Sequence, residues 1–251
     1  MNTGTAETAS AKEKLVVALD FESADDALRL YGELRRDAGM FKVGSQLFTK
    51  AGPELVRRLV GDGARVFLDL KFHDIPNTVA NAAREAVRLG VALFNVHAAG
   101  GSEMMRRAAE ATAEEASRLG LKRPSLIAVT VLTSMDEEAL RETGVGAASV
   151  EEHVRRLARL AEAAGLDGVV ASPHEIVPVR EAVGRTGFLV VTPGVSPSAA
   201  AYEDQKRVTS PAEAVRRGAD FIVVGRAILN SPDPAAAARA VVKEMENVRI
   251  S

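Results

Sequence analysis

The chain has 251 residues, 47% hydrophobic and 26% charged, and its 32 basic and 34 acidic side chains leave a formal charge of −2. That length suits one large domain, the apolar content excludes wholesale disorder, and the balanced charge argues against a dedicated nucleic-acid or anionic-membrane surface. The absence of cysteine excludes disulfides, thiolate metal sites and a cysteine nucleophile. It fits a reducing compartment. No apolar run approaches the roughly 18 residues of a membrane span, and the opening MNTGTAETASAKEK has no apolar signal core, so a cytoplasmic location is expected.

Residues 1–12 are small and polar and are expected to form a disordered tail, with one catalytic domain over 13–251. Short runs rich in Val, Leu, Ile and Phe then begin at residues 15, 40, 65, 93, 125, 168, 188 and 221. They are too short for buried helices and read as strands. Between them lie Ala-, Arg- and Glu-rich stretches with helical periodicity, such as SADDALRLYGELRRD (23–37) and PNTVANAAREAVRLG (76–90). Ser23, ahead of Asp25 and Asp26, marks a helix start, and Gly90 marks a helix end. Eight strand–helix units, spaced by 20 to 43 residues, predict a single closed (β/α)8 TIM barrel. A doubly wound sheet would carry GxGxxG after its first strand, and LDFESADD has no glycine.

A barrel of this kind places its chemistry at the C-terminal ends of the strands. Asp20 ends the first run, Lys42 lies between Phe41 and Val43 in the second, and the third runs FLDLKFHDIP. Strand alternation puts Phe67, Asp69 and Lys71 on one face and Leu68 and Leu70 on the other. The leucines suit the helix layer, so Asp69 and Lys71 are expected inside the barrel mouth. Two of only eight lysines, Lys42 and Lys71, thus sit within apolar strands. Each needs a partner, and Asp20, Asp69 and Asp74 are the obvious ones. The pattern is either a structural ion-pair network or a charge array facing a ligand, and the latter stabilises charge that develops during reaction.

The seventh and eighth runs end in TPGVSP and VVGRAI, where barrels commonly hold phosphate. Gly194 and Gly225 let backbone N–H groups approach an anion and Arg226 can pair with it; the plainer alternative is a tight turn with a solvated arginine. Thr133 and Ser134 are placed either to bind a ligand or to cap the next helix. Gln205, in DQKRV, either reaches a pocket or is a surface residue. His97 is a base or ligand, or else a hydrogen-bonded wall residue. His73 has the parity for packing, and His153 and His174 read as structural.

The segments VALD (17–20), FKVG (41–44), FLDLKFHDIPNTV (67–79), FNVHAAGG (94–101), LIAVTVLTS (126–134), VTPGV (191–195), DQKRV (204–208) and IVVGRAI (222–228) together resemble the bacterial type of the orotidine 5′-phosphate decarboxylase family. The resemblance runs in order from about Leu15 to the end, and the DxKxxD core at Asp69, Lys71 and Asp74 is its most specific part. It implies decarboxylation of orotidine 5′-monophosphate to uridine 5′-monophosphate (UMP), the last step of de novo pyrimidine synthesis, without metal or organic cofactor. By the family pattern Lys71 protonates C6, Asp69 lies beside the departing carboxylate, Lys42 contacts the ribose and orders the array, and Asp20 binds ribose hydroxyls. Asp74, Ile75 and Thr78 are expected to reach the neighbouring subunit's site in a homodimer. Thr133 and Gln205 are expected to line the base and phosphate region, and Gly225 and Arg226 to hold the phosphate. Relatives commonly read TPGIR where this chain reads TPGVS, so Ser196 stands in place of an arginine, with Lys206 or Arg207 as candidate substitutes.

Sister barrels implied by the same resemblance, the hexulose-phosphate synthases and keto-gulonate-phosphate decarboxylases, act on sugar phosphates with magnesium. They share a DxKxxD-like third strand but place a glutamate ligand on the second, where this chain has Lys42. Ribulose-phosphate epimerases need a ring of His and Asp ligands, of which only His97 is near such a place. A silent phosphate-binding scaffold is the remaining alternative.

Overall fold

Inward and outward residues alternate along every strand, and this alternation closes the sheet. Val16, Met40, Phe67, Leu93, Ile127, Val191 and Val223 form an inner cluster, while Val17, Phe41, Leu68, Phe94, Leu126, Val190 and Ile222 join a larger outer one with the helices. Each strand therefore buries both faces, as a parallel barrel demands. The computed structural model describes residues 10–196 and 209–248.

In chain order the elements are α1 (Ala11–Lys14), β1 (Leu15–Ala18), α2 (Ala24–Leu34), β2 (Met40–Gly44), α3 (Ser45–Gly61), β3 (Val66–Phe72) and α4 (Pro76–Arg88). There follow β4 (Leu93–His97), α5 (Gly101–Leu119), β5 (Ser125–Val129), α6 (Glu137–Glu142), α7 (Val150–Ala163), β6 (Gly168–Val170) and α8 (Ile176–Ala182). The last are β7 (Leu189–Thr192), α9 (Pro211–Arg216), β8 (Phe221–Val224), α10 (Arg226–Leu229) and α11 (Pro234–Glu246). The eight strands close in sequence order into one parallel barrel, β8 pairing with β1 through Leu15 and Ile222. This is a single (β/α)8 TIM barrel.

Local chemistry sets the boundaries. The Ser23 side chain accepts the Asp26 N–H at the start of α2, and Gly90 turns the chain after α4 at φ 72°. At the start of α1, Ser10 and Glu13 form a reciprocal capping box, which places Ala11 and Lys12 in a helix that the composition did not lead one to expect. This short helix packs on the residue before β2: a β-carbon on Gly39 would lie 2.5 Å from Glu13 Cα. The fifth apolar run, 125–133, is strand only to Val129; beyond it the chain turns along the barrel mouth. Asp167 and Asp220, just ahead of β6 and β8, each accept a backbone N–H from the preceding strand, Leu126 and Val190, at 2.7 Å. Each also pairs with an arginine, Arg123 and Arg180 respectively. The bottom of the barrel is thus clamped, and the irregular chain is left to the mouth.

Candidate active site

Three neighbouring strands bring four charges into one line at the mouth. Asp20 follows β1, Lys42 points inward from β2, and Asp69 and Lys71 point inward from β3. Lys42 Nζ lies 3.0 Å from Asp20 Oδ1 and 3.4 Å from Asp69 Oδ2, and Lys71 Nζ lies 2.7 Å from Asp69 Oδ1. Side-chain exposure is 11% for Lys42 and 12% for Asp69 but 34% for Lys71 and 54% for Asp20, so the line has a sheltered centre and open ends. Charges so alternated offset one another and hold each side chain in place by its neighbours. The parity argument for Asp69 and Lys71 therefore holds.

The chain is irregular where this chemistry sits. On β3 the four-residue step from Leu68 to Phe72 faces a two-residue step on β4, from Phe94 to Val96. Lys71 absorbs part of the surplus in a left-handed backbone, φ 53°, alone among the described non-glycine residues. Asn95, fully buried on β4, accepts the Lys71 N–H through Oδ1 at 2.8 Å and donates from Nδ2 to Asp69 Oδ1 at 2.7 Å. Sequence reasoning missed Asn95. The signal was there: it shares the parity of inward-facing Leu93 and is the only polar residue in LFNV.

The array lines a cavity of about 580 Å³. Thr133, Gly194, Gly225 and Arg226 line it too, which brings the expected base and phosphate contacts to the same space. The next helix is capped by Asp136, whose side chain accepts the Ala139 N–H, which leaves Thr133 to the cavity. Ser196 also lines the cavity; its hydroxyl is buried without a hydrogen-bond partner among the described residues. Gln205, Lys206 and Arg207 lie outside the described residues.

Asp74 stands apart from the line. It is exposed, and its Oδ1 accepts the N–H of Ile75 at 2.6 Å. Ile75, 67% exposed, and Thr78 share this surface, the loop from β3 into α4. His97 and His73 stack with ring centroids 5.6 Å apart and do not line the cavity. Burial, then the neighbouring His73 and Lys71, hold the His97 imidazole below its ordinary value. His97 is thus a wall residue packed on His73. His153 lies in α7, where burial lowers its pKa, and His174 borders a separate acidic hollow with Glu137, Glu138 and Glu151. Among the described residues no three His, Asp or Glu side chains form a group able to hold a metal ion. No helix among them is long and apolar enough to cross a membrane.

A parallel (β/α)8 barrel with alternating charges at its C-terminal mouth, facing a cavity with a Gly-Arg turn, has the architecture of a barrel enzyme. A profile of the orotidine 5′-phosphate decarboxylase / HUMPS family matches residues 13–241. The chain is 56% identical over 240 residues to the orotidine 5′-phosphate decarboxylase of Moorella thermoacetica, covering 95% of this chain and 94% of that one. It is 56% identical over 236 residues to that of Geobacter sulfurreducens, with coverage of 94% and 97%. The crystal structure of orotidine 5′-phosphate decarboxylase from Lactobacillus acidophilus superposes with a TM-score of 0.82 at 37% identity, covering 92% of this chain and 98% of that one. The chain belongs to the orotidine 5′-phosphate decarboxylase / HUMPS family.

Proposed function

We infer that this chain is a carboxy-lyase that converts orotidine 5′-monophosphate to UMP and CO₂, the last step of UMP biosynthesis. The observation that carries the reading is the unbroken line Asp20–Lys42–Asp69–Lys71 at the cavity, with Lys71 Nζ 2.7 Å from Asp69. Breaking the bond from C6 to the carboxylate leaves the electron pair on C6, where the ring delocalises it poorly. An ammonium held beside that carbon stabilises the pair and then protonates it. Lys71 takes that role. Asp69 lies next to the substrate carboxylate, and the repulsion between them is relieved as CO₂ departs. Lys42, held between two carboxylates, orders the line and contacts the ribose, whose hydroxyls Asp20 binds. Gly225 and Arg226 hold the phosphate, and Thr133 the base. Gln205 is assigned to the same region by family pattern alone.

Lys42 also weighs against the magnesium-dependent sugar-phosphate lyases of the same family. Its ammonium occupies the place on the second strand where those enzymes are expected to present a metal ligand, and a second cation there is repelled.

The active unit is proposed to be a homodimer in which Asp74, Ile75 and Thr78 reach the neighbouring site. The exposure of Ile75, and the bond of Asp74 to the Ile75 N–H where the other carboxylates of the set face lysines, support this. A cytoplasmic location fits a cysteine-free enzyme acting on a nucleotide. The test is Lys71→Ala: turnover of orotidine 5′-monophosphate is expected to vanish while UMP binding stays measurable. Turnover like that of the unmodified protein removes the assignment.

A further inference from the structure

We propose that Asn95 is the positioning residue of the site, the group that holds both the proton donor and its counter-ion in place. The inference rests on the decarboxylase reading and concerns a residue that touches no substrate.

The extra residues of β3 put Asp69, Leu70 and Lys71 opposite Asn95 alone, where a regular ladder cannot follow. The Lys71 N–H therefore loses its ladder acceptor in a buried setting, at a backbone φ of 53° that a lysine does not choose. Asn95 Oδ1 replaces that acceptor at 2.8 Å. The other end of the same amide donates to Asp69 Oδ1 at 2.7 Å, the oxygen that also receives Lys71 Nζ. Asp69 Oδ2 faces Lys42. One planar amide thus fixes the backbone of Lys71 and the plane of the Asp69 carboxylate together. The hydrogen bonds set its orientation, since the flipped amide would put NH₂ against N–H and carbonyl against carboxylate. Among side chains of that size, only the amide carries its acceptor and its donor on two separate atoms at neutral pH. Aspartate keeps only the acceptor, and alanine keeps neither.

An amide that merely filled space could be replaced without a specific effect on turnover. One that positions the acid affects the chemical step and spares binding, because the proposed phosphate contacts lie on β8 and Asn95 itself bonds only Lys71 and Asp69. The experiment compares the full-length protein with Asn95→Asp and Asn95→Ala, measuring kcat on orotidine 5′-monophosphate, UMP affinity by calorimetry, and folding by circular dichroism. For both variants kcat is expected to fall by about 100-fold while UMP affinity moves by less than about threefold. Asn95→Asp preserves shape, so it carries the test if Asn95→Ala does not fold. A folded variant with kcat within about threefold of the unmodified protein overturns the role, as does a loss of UMP affinity equal to the loss of kcat. An Asn95→Asp protein that fails to fold also overturns it, in favour of a purely structural amide. If the unmodified protein itself shows no turnover, the decarboxylase reading falls and this inference with it. An active unmodified protein with unaffected variants removes the Asn95 role alone.

Discussion

Gly44 leaves the space that Lys42 fills: a β-carbon built on Gly44 would lie 3.0 Å from Lys42 Nζ and 3.6 Å from Asp20 Oδ1. Its backbone, φ −90° and ψ 176°, is one that alanine adopts without strain. The backbone therefore does not need glycine there, and a β-carbon would instead press on the ammonium and displace it by a few tenths of an ångström. Gly44→Ala is expected to fold with an unchanged melting temperature and to lose about 100-fold in kcat as Lys42 shifts. Steady-state kinetics and a thermal melt check this, and full activity would show that the line of charges has slack.

Arg226 and Gly225 line the cavity just after β8, on the far side of β1 and β2 from the β3 bulge. Removing a charge-assisted contact to a phosphate costs about 1.5–3 kcal/mol, or about 10- to 100-fold in binding. Arg226→Ala is accordingly expected to raise KM for orotidine 5′-monophosphate by that factor. The nucleoside lacking phosphate is expected to react equally slowly with both proteins, and a difference between them there would remove Arg226 from phosphate binding.

Ile75 is an apolar side chain left 67% exposed one residue from an aspartate that pairs with nothing in the ion line. If this loop docks on a second copy, Ile75→Glu buries an unpaired charge in the contact. The variant is expected to sediment as a monomer and to lose most of its turnover, recovering neither on dilution into fresh buffer. A monomeric but fully active Ile75→Glu protein would detach Asp74 from catalysis.

Glu115, on α5, is buried at 3% exposure between Arg118 and Arg88, the latter reaching across from α4. The hydrogen bonds from Arg118, then those from Arg88, outweigh burial and hold its carboxyl at about 2 against an ordinary 4.5. The folded protein thus binds this proton less tightly than the unfolded chain. Its stabilisation is complete above pH 4.5 and is lost as the pH falls toward 2. Glu115→Gln is expected to melt lower at neutral pH and to show a shallower decline between those values. Parallel melting curves for the two proteins across that window would contradict the assignment.

The barrel was legible because its signals are periodic: eight runs of both-face-buried residues, with helices between them, leave one closed topology. Side-chain parity carried Asp69 and Lys71 into the mouth, and it would have carried Asn95 as well. What the pattern hides is the bulge, since surplus residues in β3 are visible only against β4. The α1 helix was missed for a different reason. Its four residues have no periodicity to detect, and it is held by the Ser10–Glu13 capping box and by the close approach of Gly39.

The graded exposure along the line of charges fixes how the enzyme resets. In the proposed reaction each turnover would move one proton from Lys71 to carbon, so the line, neutral beforehand, would be left one charge negative until water supplies a replacement. Lys42, shut in at 11% exposure, is poorly placed to collect it; Lys71, at 34%, stands where solvent reaches once product leaves. The outer position of the donor is thus its refilling route. On the proposed reading, substrate seated over Lys71 would close that route during the chemical step, and proton uptake would then follow product release.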